Sequence, residues 1–101
     1  MAIAEISIIP LGTKTPSVSK YVARAVKVLQ QERDLKYQIT SMGTIIEGRL
    51  DKILAVAEKM HEGTFGREVT RVITLIEIDD RRDQASSMKG KMNSLTTELE
   101  H

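Results

Sequence analysis

The stretch LKYQITSMGTIIEG, residues 35–48, decides how this chain folds. Leu35, Tyr37 and Ile39 alternate with Lys36, Gln38 and Thr40, the period of two that gives a strand one buried and one solvated face. Met42-Gly43 breaks the alternation, and Gly43 can supply the positive φ that a tight hairpin turn demands. An extended run from Thr44 to Gly48 follows. Two antiparallel strands therefore lie at the middle of the chain, and the fold depends on what flanks them.

Toward the C-terminus, Asp51 or a neighbour starts a helix whose Leu50, Ile53, Leu54, Ala57, Met60 and His61 make one stripe, with Gly63 and Gly66 ending it. A long strand from Glu68 to Asp79 comes next, apolar on both parities: Val72, Thr74, Ile76 and Ile78 against Ile73 and Leu75. Toward the N-terminus, Ser17 can cap a helix carrying Val18, Val22, Ala25, Val26 and Leu29 as far as about Glu32. Before it, Ala2 to Ile9 reads as a strand covered on both sides and closed by Pro10, which cannot continue a ladder in mid-sheet. Met88, Met92 and Leu95 suggest a short third helix.

Two strand-helix-strand units sharing one sheet give an α+β, ferredoxin-like βαββαβ sandwich. The expectation is a four-stranded antiparallel sheet with both main helices on one face, strands one and three central, and an extra C-terminal helix. A chain of 101 residues has room for one such domain, residues 1–98. Leu99-Glu100-His101 reads as the remnant of a vector-derived tag.

With 3% aromatic residues the core must be built from Ile, Val, Leu and Met. A net charge of +1, from 15 basic and 14 acidic side chains, sets up no field that would draw nucleic acid or a membrane surface. The absence of cysteine removes disulfides, thiolate metal sites and thiol nucleophiles, and fits a cytoplasmic location. No apolar run approaches the ~20 residues of a membrane helix, and the alternating N-terminus is not a signal peptide.

Strand parity points to a site. If Ile6, Ile8, Leu35, Tyr37, Ile39 and Ile76 face the helices, Thr44 and Thr74 point the same way and put hydroxyls into an aliphatic layer beneath the first helix. Those hydroxyls need partners. Apolar walls with a few convergent polar groups suit a small heteroaromatic ring; alternatively, each threonine bonds a nearby carbonyl. Tyr37 can offer a flat surface and a hydroxyl at its tip, and Met42 can adapt to a ring or close the core. Thr13, Ser17 and Ser19, with Lys14 near, surround the start of the first helix, where N–H groups favour an anion or are simply capped. The other sheet face carries Ile3, Ile9, Ile45, Ile73 and Leu75 among Glu5, Ser7 and Glu77, and subunits are expected to pack there as a dimer or tetramer. Arg81 and Arg82, between Asp79 and Asp83, form ion pairs or meet an anionic group.

Catalysis finds little footing. His61 is the one credible histidine, no metal-ligand spacing occurs, and Asp79 and Asp80 alternate faces instead of converging.

Pro10-Leu-Gly-Thr13, Ser17 through Tyr21-Val22, Met42-Gly43-Thr44-Ile45-Ile46-Glu47-Gly48, and Val72-Ile73-Thr74 leading to Ile78-Asp79-Asp80-Arg81 together resemble the thiamine-binding protein family, the small YkoF-like proteins. The likeness spans about residues 3 to 83. It implies a ferredoxin-like fold, homo-oligomers, and binding of thiamine or hydroxymethylpyrimidine; with no catalytic constellation among the residues, the expectation is a non-catalytic protein without a further cofactor. In that light Glu47 could pair with an aminopyrimidine through two hydrogen bonds, although strict alternation turns it away from the helices with Glu5 and Glu77. Two other readings stand beside this one. An acylphosphatase-like enzyme would need an arginine after strand one, and Leu11 to Pro16 has none. A ligand-free structural or regulatory oligomer would have a closed helix–sheet layer.

Overall fold

The computed structural model describes residues 1–13, 19–83 and 87–100. Its elements run β1 (Ala2–Leu11), α1 (Ser19–Gln30), β2 (Lys36–Ile39), β3 (Thr44–Gly48), α2 (Leu50–Thr64), β4 (Arg71–Asp79) and α3 (Met88–Leu99). The strands form one antiparallel sheet in the order β2-β3-β1-β4, the ferredoxin-like arrangement the sequence implies.

Register sorts the side chains. Ala2, Ala4 and Ile6 lie opposite Gly48, Ile46 and Thr44 of β3, while Ile6 and Ile8 lie opposite Ile76 and Thr74 of β4. Ala2, Ala4, Ile6 and Ile46 join Ala25 and Leu29 of α1 and Ile53, Val56, Ala57 and Met60 of α2 in one buried cluster. Fully burying an Ile or Leu contributes ~1.5–3 kcal/mol, so this cluster is the main source of stability in a chain with so few aromatic rings. The alternate residues, Ile3, Glu5, Ser7 and Ile9, face the other side with Ile45, Glu47, Ile73, Leu75 and Glu77.

Several local expectations change. Pro10 does not end β1; it is buried within the strand opposite Val72. A proline has no N–H to donate, so it is tolerated where that position faces away from the neighbouring strand. Gly43 does not have a positive φ, which among the described residues belongs to Gly12 alone, at 76°. Gly43 is needed for close approach instead: a Cβ there would stand 2.9 Å from the Ile6 carbonyl oxygen and 3.0 Å from Ser7 Oγ. The turn is held by Thr40, whose Oγ1 accepts from the N–H groups of Met42 and Gly43 at 3.2 and 3.1 Å and donates to the Gly43 carbonyl at 2.7 Å.

On α1 the buried stripe is Tyr21, Ala25 and Leu29, not Val22, which stays exposed. On α2, Val56 takes the place expected for Leu54, and the helix runs through Gly63 to Thr64, whose Oγ1 donates to the Met60 carbonyl at 2.8 Å. Gly66 and Val69 form an isolated bridge, so β4 begins at Arg71 and not at Glu68. As an edge strand β4 is less covered than its apolar sequence suggests, with Ile76 and Ile78 exposed even on the helix side.

Ser87 Oγ accepts from the Gly90 N–H and caps α3, none of whose residues is buried. A 2.6 Å ion pair between Lys91 and Asp79 ties it to β4. Nearby, Arg81 bridges to Asp83 and Arg82 to Asp80 through two contacts each, between 2.7 and 3.2 Å. The Arg82 hydrogen bond holds the Asp80 carboxyl below its ordinary range, and the same bond raises Arg82.

Candidate functional site

β1 is longer than its partner β3. β3 pairs with it only as far as Thr44, opposite Ile6, while β4 follows it to Leu11. Past Ile6, no described strand lines that edge of β1, and a cavity of about 390 Å³ lies against it. Ile6 and Ile8 form its floor, the hairpin Thr40–Thr44 one end, and Val22, Ala25 and Val26 of α1 its roof. The exposure of Val22 has its cause here: the residue hangs over a space and not over packed carbon. The lining is mostly aliphatic, with Thr40, Ser41 and Thr44 among its polar residues, and Ser7, Ile9 and Leu75 border it from the other face, so the cavity reaches around the strand edge. That size and character match pockets that hold small organic ligands.

The residues expected to bind fall into three groups. Thr44 and Met42 come together at the cavity, Thr44 buried in its wall and Met42, 79% exposed, at its mouth. Thr74 and Tyr37 share the helix-facing side of the sheet but stand off the cavity wall. Thr74 lies opposite Ile8 and bonds His61, its Oγ1 2.6 Å from the ring Nδ1. Tyr37 lies opposite Ile46 on the outer strand. Glu47 is on the far face, between Ile3 and Lys36, and is buried at 7% exposure. Thr13, half-buried, and Ser19, exposed, flank residues 14–18; the expected capping by Ser17 and an anion contact from Lys14 lie outside the described residues.

Two contributors escaped the sequence reading. Thr40 shapes the hairpin end through its own hydrogen bonds, and its place just before Ser41-Met42-Gly43 was the available signal. Tyr21, a buried ring rather than a mere motif letter, donates from its hydroxyl to Glu68 Oε2 at 2.6 Å. Lys20 bridges the same oxygen at 3.2 Å, and that hydrogen bond raises the Lys20 ammonium above its ordinary value. Lys20 Nζ and the Arg24 guanidinium stand 5.0 and 5.4 Å from the Tyr21 ring centre, so this group fastens α1, the roof of the cavity, to the segment after α2.

Residues 4–96 match the family model described as thiamine-binding protein. The chain is 48% identical over 103 residues to the UPF0045 protein YqgV of Bacillus subtilis, covering 99% of each. The crystal structure of hypothetical protein MJ1052 from Methanocaldococcus jannaschii superposes with a TM-score of 0.86 at 39% identity, covering 94% of this chain and 95% of that one. A Thermotoga maritima protein provisionally assigned to thiamine biosynthesis or salvage superposes with a TM-score of 0.76 over 93% of this chain and 97% of that one; at 15% identity it shares the fold alone.

Proposed function

The chain belongs to the thiamine-binding protein family, and from that premise we propose that it binds thiamine, or the hydroxymethylpyrimidine half of it, in the cavity beneath α1 without transforming it. The observation that carries the reading is the cavity of about 390 Å³ at the end of β1 beyond β3, mostly aliphatic in its walls and bordered by Thr44, whose hydroxyl is not sealed off in the core. A closed helix–sheet layer, as a ligand-free oligomer would have, offers no such space. The chemistry of the lining favours holding over converting: aliphatic carbon and hydroxyls grip a ring, and Thr44 brings neither a base nor a strong acid to it.

Calorimetry with thiamine, thiamine phosphate and free hydroxymethylpyrimidine tests this. Saturable heat with at least one of them is expected, weakened about tenfold in Thr44→Val and lost in Val22→Trp, whose indole fills the space. No heat with any of the three removes the reading.

The protein acts, on this proposal, as a cytoplasmic homo-oligomer. Ile9, Ile73 and Leu75 on the open sheet face are 42%, 38% and 56% exposed, and a chain this small gains from covering them with a second copy. Glu47, on that same face, then belongs to the subunit contact and not to the ligand.

A further inference from the structure

Pro10 fixes which way the main chain of β1 points. It lies opposite Val72 in the β1–β4 ladder but has no N–H to give, so this pair is of the non-hydrogen-bonded kind. In an antiparallel strand the N–H and C=O of one residue share a side, and the side alternates. Ile8 and Ile6, two and four residues back, therefore also turn their peptide groups away from β4. The Ile6 carbonyl agrees, for its oxygen lies beside Gly43 on the β3 side. At Ile6 those groups meet Thr44. At Ile8 no described strand lies opposite, and Ile8 is part of the cavity wall.

The cavity thus contains one N–H and one C=O side by side, fixed in the sheet plane and roofed by Val22 and Val26. In a sheet this pair would exchange two hydrogen bonds with one residue of a neighbouring strand. A ring nitrogen next to an exocyclic amino group presents the complementary set: the nitrogen accepts where a carbonyl would, and the amino group donates where an N–H would. On the reading that this cavity takes an aminopyrimidine, we infer that the main chain of Ile8 recognises the amino edge of the ring, donating to the ring nitrogen and accepting from the amino group. A residue's identity cannot supply this pair, because every residue but proline has it; the place does, since β3 stops short of it. Thr44, bonded in the ladder next door, sets the end of the slot, and the aliphatic roof requires the ligand to be flat.

The same geometry provides the test. Ile8 pairs with Thr74 in the manner of Pro10 with Val72, so Ile8→Pro removes the proposed donor without removing a ladder hydrogen bond, while Ile8→Ala trims the side chain and keeps the N–H. Binding of thiamine is measured by calorimetry for both, and the Ile8 amide of the wild-type chain is followed by NMR shift and hydrogen exchange during a thiamine titration. The expected result is an amide that exchanges freely in the apo protein, moves and becomes protected at saturation, with Ile8→Pro binding at least about tenfold more weakly than Ile8→Ala. Desamino thiamine should lose a similar factor on the wild-type protein. Saturable binding with an unmoved Ile8 amide, or with the amide already protected in the apo protein, overturns the inference and leaves the cavity reading standing. If Ile8→Pro does not fold, the wild-type amide decides alone. Absence of thiamine binding to the wild-type chain defeats the proposed function first, and this inference with it.

Discussion

His61 Nδ1 lies 2.6 Å from Thr74 Oγ1, joining the last turn of α2 to the edge strand β4. The Phe65 ring meets the imidazole edge-on at 5.3 Å between centres and helps hold it there. A hydroxyl engaged in this way secures a helix to a strand that little else covers. Thr74→Val is expected to lower stability by ~1 kcal/mol, the worth of one such hydrogen bond, while thiamine affinity stays within about twofold. Urea unfolding and calorimetry on the same variant check the two halves; a large loss of affinity with stability unchanged would put Thr74 in the binding site after all.

Gly43→Ala forces a Cβ toward the Ile6 carbonyl, and main chain in a central strand cannot move aside as a side-chain tip can. A cost of ~1–3 kcal/mol is expected, as for other overpacked sites, together with weaker ligand binding because the displaced hairpin forms one end of the cavity. Thermal unfolding gives the first quantity and titration the second.

Tyr21→Phe removes the hydroxyl that donates to Glu68 and leaves the ring in place. With the Glu68 side chain about half exposed at 48%, solvent screens much of the bond, and a loss of ~1 kcal/mol is expected, a shift in melting temperature of about 4–8 °C for a chain of this size. Differential scanning calorimetry reads it.

Asp80 is held below its ordinary pKa chiefly by its hydrogen bond from Arg82, so its stabilising effect is present above the normal carboxylate range and fades as pH falls through the lowered value. Asp80→Asn should therefore melt slightly below the wild type at neutral pH, and the two curves should converge in strong acid. High salt should narrow the gap at neutral pH, since Arg82 is largely in solvent and the Asp80 side chain keeps 24% of its surface there. Melting curves across pH at two ionic strengths decide it.

Leu75→Asp places a charge on the open sheet face, at a residue 56% exposed on the edge strand. Sedimentation velocity is expected to show the wild type as a dimer or larger and the variant shifted toward monomer, with its helical signal intact. A wild type that sediments as a monomer at all concentrations rejects the proposed assembly.

The order of elements and the facing of side chains were legible in the sequence because both rest on short-range periodicity. Leu35, Tyr37 and Ile39 share a parity that alternation reveals, although on the outer strand β2 Tyr37 and Ile39 stay exposed where alternation predicts one buried face. What periodicity cannot say is how far one strand outruns another. Pro10 reads as a terminator because proline ends ladders, yet the rule depends on which neighbour the missing N–H faces, and only the shortness of β3 reveals that. The same limit separated Thr44 from Thr74. Parity put both on the helix-facing side, but whether a given column lies under α1 or is met by a residue of α2 is a matter of tertiary placement, and His61 met one of them. Val22, expected on the buried stripe, is exposed for a related reason: it borders the space under α1 that a continuous core would have filled. Alternation places Glu47 on the far face, where it lies buried between Ile3 and Lys36.

An exposed strand edge invites foreign chains to dock and begin a growing stack, a hazard that folded proteins must suppress. Along this margin Pro10 offers an acceptor and no donor, and the Thr40–Gly43 bend closes the other end, so the paired donor and acceptor left over are those of a single residue. An intruding polypeptide would find too few hooks to hold on to, whereas one flat heterocycle would find both that it needs.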